Sequence, residues 1–276
     1  MAKDYTNTLF SMAEKVVVVV GGLGQIGINT VGIMLDAGAK VAVVDIIDDH
    51  DYNLSEILAT YRDQGALAFF KTDITEEKEV QGAATSIAEL FGCVDVLVNH
   101  AHYKGDPRLL KPHSPFFASV EDYPFEMWKQ TIDVNLNGLF LVSKAFGKLM
   151  VKQKRGVIIN TSSTYGVVSA RKTIYGDSGI NSPVSYAATK AAILNFSRYL
   201  ATHWAEHNIR VNTLTPGGVG NPNQSDEFVQ NYSDMAPLNR MALPTEYQGA
   251  VLFLASDASS YMTGANLVVD GGWTAW

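Results

Sequence analysis

The chain has 276 residues, of which 47% are hydrophobic and 18% are charged, so it holds enough apolar material for a full core and is not disordered. Its 21 Lys and Arg against 28 Asp and Glu give a formal net charge of −7, which argues against nucleic acid or an anionic membrane as the main partner. The single cysteine, Cys93, forms no internal disulfide and no cysteine-rich zinc site.

The N-terminal segment and the apolar runs bear on location. Residues 1–15 lack the charged-then-apolar order of a signal peptide. No strongly apolar run reaches the roughly 18 residues that cross a bilayer. We therefore expect a cytoplasmic protein with no membrane partner.

Strand and helix patterns alternate along the chain from about Lys15 onward. Short β-branched or aromatic runs predict seven strands, at residues 16–20, 41–45, 66–70, 94–99, 157–161, 210–213 and 266–269. Helix-length segments lie between them, at 26–37, 54–64, 76–91, 125–151, 185–207 and 246–254. Several strands are continuously apolar, which is typical of strands covered by helices on both faces.

This alternation predicts the α/β class with a doubly wound parallel sheet of the Rossmann type. We expect one domain over residues 15–276, preceded by an N-terminal extension at 1–14. Three long irregular stretches, at about 100–124, 164–183 and 217–237, leave from the carboxyl ends of strands. Ligands bind beyond those ends in open α/β sheets, so these loops are expected to shape the substrate site.

The first predicted strand is followed at once by Gly21-Gly22-Leu23-Gly24-Gln25-Ile26-Gly27 and then by a helix. Glycine lets the chain turn sharply and lets its backbone approach a pyrophosphate, and the helix N-terminus offers free N–H groups to the anion. A tight turn without a ligand has the same composition, but the flanking strand and helix favour a dinucleotide site. The predicted cofactor residues here are Gly21, Gly24, Gln25, Ile26 and Gly27.

Two acidic residues end the next strands. Asp45 is placed to accept hydrogen bonds from the ribose hydroxyls of NAD and to repel the 2′-phosphate of NADP. The following Ile46 and Ile47 offer no cation to a phosphate, so NAD is favoured. Asp73 either bonds the adenine amino group or caps the helix that starts near Glu76, and both roles remain open.

Tyr186 and Lys190 lie four residues apart in a predicted helix and so share one face. The phenol has a pKa near 10 in water, and a nearby ammonium lowers the pKa by stabilising the phenolate. Such a tyrosine can exchange a proton with an alcohol or a ketone while hydride is transferred. The spacing alone is common, but here it follows a strand that ends in Asn160-Thr161-Ser162-Ser163.

In its ordered motifs the chain resembles the short-chain dehydrogenases/reductases over roughly residues 15–273. The resemblance rests on the glycine loop, Asp45, Asp73, Asn99-His100-Ala101-His102, Asp133-Val134-Asn135, Asn160-Thr161-Ser162-Ser163, Tyr186 with Lys190, Arg210-Val211-Asn212, Pro216-Gly217 and Val269-Asp270-Gly271-Gly272. The stretch from Ser162 to Val168 is similar to bacterial members associated with sugar and nonulosonic-acid metabolism.

The resemblance implies a role for each matching residue. Ser163 would polarise the substrate oxygen, and Tyr186 would be the acid and base. Lys190 would bind the nicotinamide ribose and lower the pKa of Tyr186, and Asn135 would anchor a water that relays protons toward Lys190. The remaining cofactor residues would be Ile74, Asn99, Ala101, Pro216, Gly217 and Val219, the last three beside the nicotinamide.

The chain also departs from the family pattern. Val20 replaces a common threonine, His102 replaces a glycine, and the interval from Ser163 to Tyr186 is long. The predicted substrate residues, which a solvated loop face would also explain, are His100, His102, Tyr165, Arg171 and Tyr175. With the cations Lys104, Arg108 and Lys172, they suit a polyhydroxylated or anionic substrate. Two histidines without a carboxylate predict no metal site.

The favoured function is therefore an NAD-dependent dehydrogenase or reductase acting on a sugar-like or sugar-acid secondary alcohol. A 3-oxoacyl or other hydrophobic ketone reductase is an alternative, but it would use NADPH, which Asp45 disfavours. An epimerase or dehydratase would usually carry a larger C-terminal domain. A nucleotide-sensing protein without activity is disfavoured because Ser163, Tyr186 and Lys190 are all present. By resemblance, the helices at 125–151 and 185–207 would pack in a dimer or tetramer.

Overall fold

The computed structural model describes residues 5–48, 55–103, 105 and 110–276, so Lys104 and Arg108 lie outside the described residues. All seven strands form one parallel sheet in the order β3-β2-β1-β4-β5-β6-β7. The strands are β1 Val16–Val20, β2 Lys40–Asp45, β3 Leu67–Lys71, β4 Val96–Asn99, β5 Gly156–Thr161, β6 Ile209–Pro216 and β7 Asn266–Val269. The predicted fold class is confirmed.

Helices cover both faces of the sheet. They are α1 Tyr5–Phe10, α2 Gly27–Asp36, α3 Glu56–Asp63, α4 Glu77–Phe91, α5 Phe125–Ile132, α6 Leu139–Gln153, α7 Val184–His203, α8 Asp226–Asp234 and α9 Gln248–Ala255. Val17 and Val19 of β1 pack with α2 and α9, whereas Val18 and Val20 pack with α4, α6 and α7. Both faces of β1 are thus covered, which is why its sequence is five consecutive valines.

The strand order changes direction between β1 and β4, where the chain crosses from one half of the sheet to the other. β1 pairs with β2 on one side and with β4 on the other, and Val20 at the end of β1 stands opposite Asn99 at the end of β4. Loops diverge at such a switch point and leave a crevice beyond the strand ends. The glycine loop and the Asn99 segment both open into this crevice.

The segment predicted as one helix over 125–151 is interrupted. Between α5 and α6 the residues Asp133–Gly138 form a π-helical turn, which includes the predicted site residue Asn135. Such turns cost backbone hydrogen-bond geometry and are often found at functional sites. Apolar periodicity did not reveal the interruption, because the side-chain bonds that hold it come from a distant loop, as described below.

Helix α8 lies within the stretch predicted as the irregular loop 217–237. Its start was recognisable, because Ser225 caps the helix by accepting a hydrogen bond from the Phe228 N–H over 3.2 Å, and Asp226 and Glu227 occupy its first turn. The polar composition of the segment masked this signal. The helix matters for the site, because it turns Phe228 and Tyr232 toward the crevice.

Two further observations concern surfaces. Among residues 5–48, 55–103 and 110–276, no helix has the length and apolar character needed to cross a membrane. The apolar positions 139, 142, 145, 149, 192, 196 and 200 of α6 and α7 suit packing either on a second subunit or on the sheet, and Ala192 is exposed. Leu139, Val142 and Leu200 are buried, and Ala145, Leu149 and Phe196 pack against the same core. The large apolar side chains exposed on α5, α6 and α7 are Phe125, Phe140 and Tyr199.

Candidate active site

A cleft of about 640 Å³ lies beyond the carboxyl ends of the strands. Nineteen of the residues predicted for the site line it: Gly21, Gly24, Gln25, Ile26, Gly27, Asp45, Asp73, Ile74, His100, Ala101, His102, Ser163, Tyr165, Tyr175, Tyr186, Lys190, Pro216, Gly217 and Val219. Asn99 and Asn135 lie behind its wall, and Arg171 lies outside it. This volume is in the range of small-molecule and cofactor sites.

The glycine loop is held tightly against its neighbours. Gly21 has a φ of +73°, and a Cβ there would lie 2.5 Å from the Ala101 nitrogen. A Cβ on Gly27 would collide with the Gly21 carbonyl oxygen, so α2 can begin directly under the loop only with glycine. The loop therefore brings bare backbone and the N-terminus of α2 to the cleft, the arrangement that binds a pyrophosphate.

Val20 replaces the common threonine without loss of a connection between the loop and β4. The carbonyl oxygen of Val20 accepts hydrogen bonds from the N–H groups of His100 and Ala101, over 2.8 and 3.0 Å. Backbone bonds thus join the end of β1 to the segment after β4. The missing side-chain hydroxyl is compensated by main-chain geometry.

The carboxylate of Asp45 supports the glycine loop. One oxygen accepts a hydrogen bond from the Leu23 N–H over 2.9 Å, and the other accepts one from the Ile47 N–H over 3.2 Å. A carboxylate has about four lone-pair positions, so it retains acceptor capacity toward the cleft. Ile46 and Ile47 are exposed beside it. Among the described lining residues, Lys190 is the only lysine or arginine.

Asp73 does not cap helix α4 with its side chain, and its predicted bond to adenine stays a prediction. Its Oδ1 atom accepts from the backbone N–H and the hydroxyl of Thr75, over 2.9 and 2.7 Å, and so closes a local turn. Helix α4 has Glu76 at its N-cap, without a side-chain capping bond. Ile74 is buried against Gly138 of the π-helical turn. Both residues line the cofactor side of the cleft.

Asn99 joins β4 to β5 behind the cleft wall. Its amide nitrogen donates to the Asn160 side-chain oxygen over 2.8 Å, and Asn160 in turn donates to the Ser197 hydroxyl over 2.9 Å. The Asn99 side-chain oxygen is buried and has no hydrogen-bond partner within the described part of the chain. Its role here is to fix the strand ends that carry the site.

His100, predicted to contact substrate, is instead engaged on both ring nitrogens. Its Nε2 atom hydrogen-bonds the Thr30 hydroxyl of α2 over 2.9 Å, and its Nδ1 atom hydrogen-bonds the Thr161 hydroxyl of β5 over 2.8 Å. Burial, with a smaller contribution from the charge of Lys190, lowers the pKa of His100 to about 3. His100 is therefore neutral, and its two ring nitrogens join α2 to β5.

Ser163, Tyr186 and Lys190 meet at the centre of the cleft, from the end of β5 and from α7. Ser163 and Tyr186 both line the cleft, and the Ser163 hydroxyl accepts a hydrogen bond from the Tyr165 N–H over 3.2 Å. The Lys190 ammonium donates to the Thr161 carbonyl oxygen over 2.8 Å and lies 5.6 Å from the centroid of the Tyr186 ring. Lys190 is only 1% exposed, so its charged head lies inside the protein.

Burial dominates the protonation of both groups. It lowers the pKa of Lys190 to about 7 and raises the pKa of Tyr186, although the hydrogen bond from Ser163 opposes the rise. This direction is opposite to the predicted lowering of the Tyr186 pKa by Lys190. The physical reason is that desolvation disfavours the charged form of each group.

Asn135 holds the loop after β4. Its side-chain oxygen accepts from the Tyr103 N–H over 2.6 Å, and its nitrogen donates to the Tyr103 carbonyl oxygen and to the Thr189 hydroxyl, each over 3.1 Å. The side chain thus joins the π-helical turn, the loop and α7, and both N–H groups of its amide are used. Its predicted role as a water anchor stays a prediction.

The segment after β6 is braced from several sides. Gly217 donates its N–H to the Val269 carbonyl oxygen over 2.9 Å and accepts from the Tyr247 hydroxyl over 3.1 Å. The Gly218 N–H donates to the Tyr232 hydroxyl over 2.6 Å. Val219 pairs with Ala242, and its carbonyl oxygen accepts from the Gln224 amide. Pro216 and Val219 are thereby fixed beside Lys190 in the cleft wall.

Aromatic side chains, mostly missed from the sequence, enclose the substrate end. Phe228 and Tyr232 of α8 line the cleft, and Trp273 is buried behind them with its ring stacked on Tyr232 at 4.3 Å. Tyr175 packs on Phe228 at 5.5 Å, and its hydroxyl lies 3.3 Å from that of Tyr165. The sequence signal for Phe228 and Tyr232 was their i, i+4 spacing, and it was missed because helix α8 itself was not predicted.

Arg171 and Lys172, the two predicted cations within the described residues, do not line this wall. Arg171 is exposed, and its guanidinium contacts the Met235 sulfur at 3.7 Å, away from the cleft. Lys172 is also exposed and does not line it. His102 lines the cleft, and its ring centroid lies 6.1 Å from that of Tyr186 in an edge-to-face arrangement. In the described part of the chain, no group of three or more metal-ligating side chains is present.

The sheet order and the glycine loop define a dinucleotide-binding protein of the Rossmann type. Residues 23–274 match a family model described as Enoyl-(Acyl carrier protein) reductase. Two curated relatives span almost the whole chain. The NAD-dependent glycerol dehydrogenase of Listeria innocua is 30% identical and covers 96% of both chains. The L-tagatose-forming galactitol 2-dehydrogenase of Cereibacter sphaeroides is 33% identical and covers 99% of this chain and 100% of its own.

Solved structures agree. A short-chain dehydrogenase from Leptospira borgpetersenii with bound NAD+ is 35% identical, with a TM-score of 0.84 over 99% of this chain and 97% of that one. A gluconate 5-dehydrogenase from Burkholderia cenocepacia, in complex with NADP and tartrate, is 26% identical, with a TM-score of 0.83 over 99% and 100%. The chain belongs to the short-chain dehydrogenase/reductase family. It is an oxidoreductase of that family and uses a nicotinamide cofactor.

Proposed function

We propose that the protein is an NAD-dependent dehydrogenase that oxidises a secondary alcohol of a neutral, polyhydroxylated substrate, or reduces the corresponding ketone. The observation that carries the proposal is the meeting of Ser163, Tyr186 and Lys190 in the same cleft as the glycine loop. A proton acceptor, a group that holds the substrate oxygen, and a cofactor cradle then share one cleft.

The residues present fit a dinucleotide. Gly21 and Gly27 have no room for a Cβ, so bare backbone faces the position of a pyrophosphate. Asp45 keeps acceptor capacity for ribose hydroxyls, and the exposed Ile46 and Ile47 offer a 2′-phosphate no cation. These features favour NAD over NADP. Asp73, Ile74 and Ala101 would line the adenine and ribose side, and Pro216, Gly217 and Val219 the nicotinamide side.

The chemistry follows from the central group. When bound, the oxidised nicotinamide supplies the hydride acceptor and a positive charge. Ser163 would hold the substrate oxygen by a hydrogen bond, and Tyr186 would accept the hydroxyl proton as the carbonyl forms. The nearby Lys190 would stabilise the phenolate, and the added positive charge would act against the effect of burial on the pKa of Tyr186.

The cleft favours a neutral polyol over an anionic sugar acid. Lys190 is the only lysine or arginine among its described lining residues, whereas Tyr165, Tyr175, Asn221 and Gln224 supply uncharged polar groups. The relatives named as glycerol and galactitol dehydrogenases support this class of substrate. Aromatic faces such as that of Phe228 pack well against the C–H bonds of a carbon chain.

The direct test is a spectrophotometric assay of NADH formation with a panel of polyols, sugars and sugar acids. We expect turnover with NAD and several neutral polyols, and little with NADP. Tyr186→Phe should lose at least 100-fold in kcat while NADH binding, followed by fluorescence, is retained. Tyr261→Phe, at a fully exposed tyrosine, is the matched control. Unchanged kcat in Tyr186→Phe would overturn the mechanism.

A 3-oxoacyl or other hydrophobic ketone reductase is the alternative, and the family model, described as Enoyl-(Acyl carrier protein) reductase, points to acyl substrates. It predicts NADPH oxidation with 3-oxoacyl thioesters such as acetoacetyl-CoA. Activity with these compounds in preference to every polyol would replace the proposed function.

We also propose that the protein forms a homo-oligomer. The exposed Phe125, Phe140 and Tyr199 supply apolar surface on α5, α6 and α7. Light scattering coupled to size-exclusion chromatography should report a dimer or tetramer, and a monomer at micromolar concentration would contradict this.

A further inference from the structure

Two tyrosine hydroxyls face each other in the substrate end of the cleft. Tyr165 Oη and Tyr175 Oη lie 3.3 Å apart, and both residues line the cavity with Ser163 and Tyr186. They come from separate 3₁₀ turns, Thr164–Gly166 and Lys172–Tyr175, within the stretch that lengthens the chain between Ser163 and Tyr186. The longer interval therefore places the phenols of Tyr165 and Tyr175 in the same cavity as Ser163 and Tyr186.

Both phenols are fixed in place by the surrounding structure. The Tyr165 N–H donates to the Ser163 hydroxyl oxygen over 3.2 Å, and the Gly166 N–H donates to the Ser163 carbonyl oxygen over 2.8 Å. A side chain on Gly166 would collide with Ser162, so this turn is sterically fixed. On the other side, Tyr175 packs on Phe228, and the Asn231 amide of α8 donates to the Ile174 carbonyl oxygen over 3.4 Å.

The hydrogen bond between the two phenols does not use all of their donors and acceptors. Two phenols hold two protons and four lone pairs, and a bond between them uses one proton and one lone pair. Ser182 opposes the rise in the Tyr175 pKa by donating toward its oxygen, and so would use a lone pair of Tyr175 rather than its proton. Whichever phenol donates within the pair, the other retains a proton that can be donated into the cleft. Burial raises the pKa of both, so they remain neutral and keep these protons.

We infer that the Tyr165–Tyr175 pair is a subsite for a second hydroxyl of the substrate, on a carbon next to the one oxidised or one further along. This inference rests on the proposed function, because it takes Ser163 and Tyr186 as the position of the reacting oxygen. One phenol donates to that hydroxyl and the other accepts from it. An alcohol that lacks this hydroxyl leaves the remaining proton and lone pair of these half-buried phenols without a partner from the substrate, so it is disfavoured.

Tyr232 shows why the pair is distinct from the rest of the aromatic wall. Its hydroxyl accepts the Gly218 N–H, so it holds the segment after β6. Phe228 and Met241 present only apolar atoms to the same space. Among the tyrosines of the described wall, Tyr165 and Tyr175 alone bond each other across the cleft. The wall thus combines apolar faces for the carbon chain with one polar point.

The test pairs alcohols that differ by one hydroxyl, such as 2-butanol with 2,3-butanediol, and four- to six-carbon polyols with the deoxy compounds that lack the neighbouring hydroxyl. For the wild-type enzyme, kcat/KM should be at least tenfold higher for the hydroxylated partner. In Tyr175→Phe and Tyr165→Phe this ratio should fall by about tenfold, chiefly through KM. Tyr261→Phe, remote from the cleft, should keep it.

The outcomes separate the two proposals. If the wild-type enzyme oxidises both members of each pair equally, or if the Phe variants keep the wild-type ratio, the subsite is overturned and the dehydrogenase stands. If no alcohol of the panel reduces NAD, the proposed function fails first. NADH affinity, followed by fluorescence, should be equal in all variants; a loss in Tyr175→Phe would indicate a general structural role and would overturn the subsite.

Discussion

The carboxylate of Asp45 accepts the N–H of Leu23 over 2.9 Å, which joins the end of β2 to the middle of the glycine loop. A residue expected to recognise the ribose therefore also shapes the loop that would hold the pyrophosphate. Cofactor preference and loop geometry are consequently linked in this protein, and a substitution that removes only the charge is the informative one.

Asp45→Asn keeps one side-chain oxygen for Leu23 and removes the negative charge. We expect the KM for NAD to rise about tenfold, from the loss of a charged acceptor, and the ratio of NADP to NAD use to rise. Steady-state assays with both cofactors measure this. Asp48→Asn, which removes the partner of the exposed Lys71 at 3.6 Å, serves as a control for general charge. If Asp45→Asn prefers NAD as strongly as the wild type, Asp45 does not set the preference.

The buried Tyr186 predicts an alkaline pH dependence for alcohol oxidation. Because burial raises the pKa of the phenol, the reactive phenolate becomes more abundant as pH rises above neutrality. We expect kcat/KM for oxidation to increase by up to tenfold per pH unit on that side. In Lys190→Met kcat/KM should fall most at and below neutral pH, because Lys190, with a pKa of about 7, carries the charge that stabilises the phenolate only in that range. Lys172→Met, at an exposed position, should keep the wild-type profile. Identical profiles for all three proteins would contradict the role of Lys190.

His100 predicts a loss of stability in mild acid. Its pKa is about 3 in the folded protein against 6.5 for the free side chain, so below pH 6.5 the unfolded chain takes up a proton that the folded protein does not. The contribution of His100 to the free energy of unfolding should therefore fall by about 2 kcal/mol between pH 7 and pH 5. Urea unfolding at both pH values measures it.

The matched variant for this prediction is His100→Gln, which has no titration in this range. This variant should lose the pH-dependent part of the free energy of unfolding. Glutamine replaces the hydrogen bonds of His100 to Thr30 and Thr161 only in part. His113→Gln tests whether histidine replacement has a general effect. The same difference between pH 7 and pH 5 in His100→Gln as in the wild type would exclude His100 as its source.

Gly27 and Gly82 allow a comparison of two helical glycines. A Cβ at Gly27 would strike the Gly21 carbonyl oxygen, whereas a Cβ at Gly82 in α4 meets nothing within 4 Å. We expect Gly27→Ala to lower NADH affinity at least tenfold and to destabilise the fold, because the loop must move. Gly82→Ala should raise the free energy of unfolding by about 0.5–1 kcal/mol, because alanine favours the helix. Fluorescence titration and urea unfolding give the two quantities. Full NADH affinity in Gly27→Ala would show that the loop tolerates the shift.

Much of the fold could be predicted, because local residue patterns carry it. The valine run of β1, with the glycines that follow, predicted a buried strand, a phosphate loop and a helix without reference to any distant residue. The π-helical turn at Asn135 could not be predicted in this way. Its side chain is fixed by Tyr103 and Thr189, which are distant in sequence, and no local periodicity encodes those contacts.

The candidate site, like the fold, could be predicted from the sequence only in part. Sequence predicted Ser163, Tyr186 and Lys190 together, since their strand end and their helix follow from local patterns. It grouped His100 and Arg171 with the substrate loops, yet His100 bonds Thr30 and Thr161 and Arg171 contacts Met235 away from the cleft. Which way a loop side chain points depends on what packs around it, and residue type alone does not specify that.

The sequence by itself determined the family, the parallel sheet and the residues suited to chemistry, because strand runs, glycine spacing and a tyrosine four residues before a lysine are local features. Only the tertiary structure decided protonation, the aromatic wall and the pairing of Tyr165 with Tyr175. Those properties depend on desolvation and on contacts between segments that are far apart along the chain, and both arise only when the chain is packed.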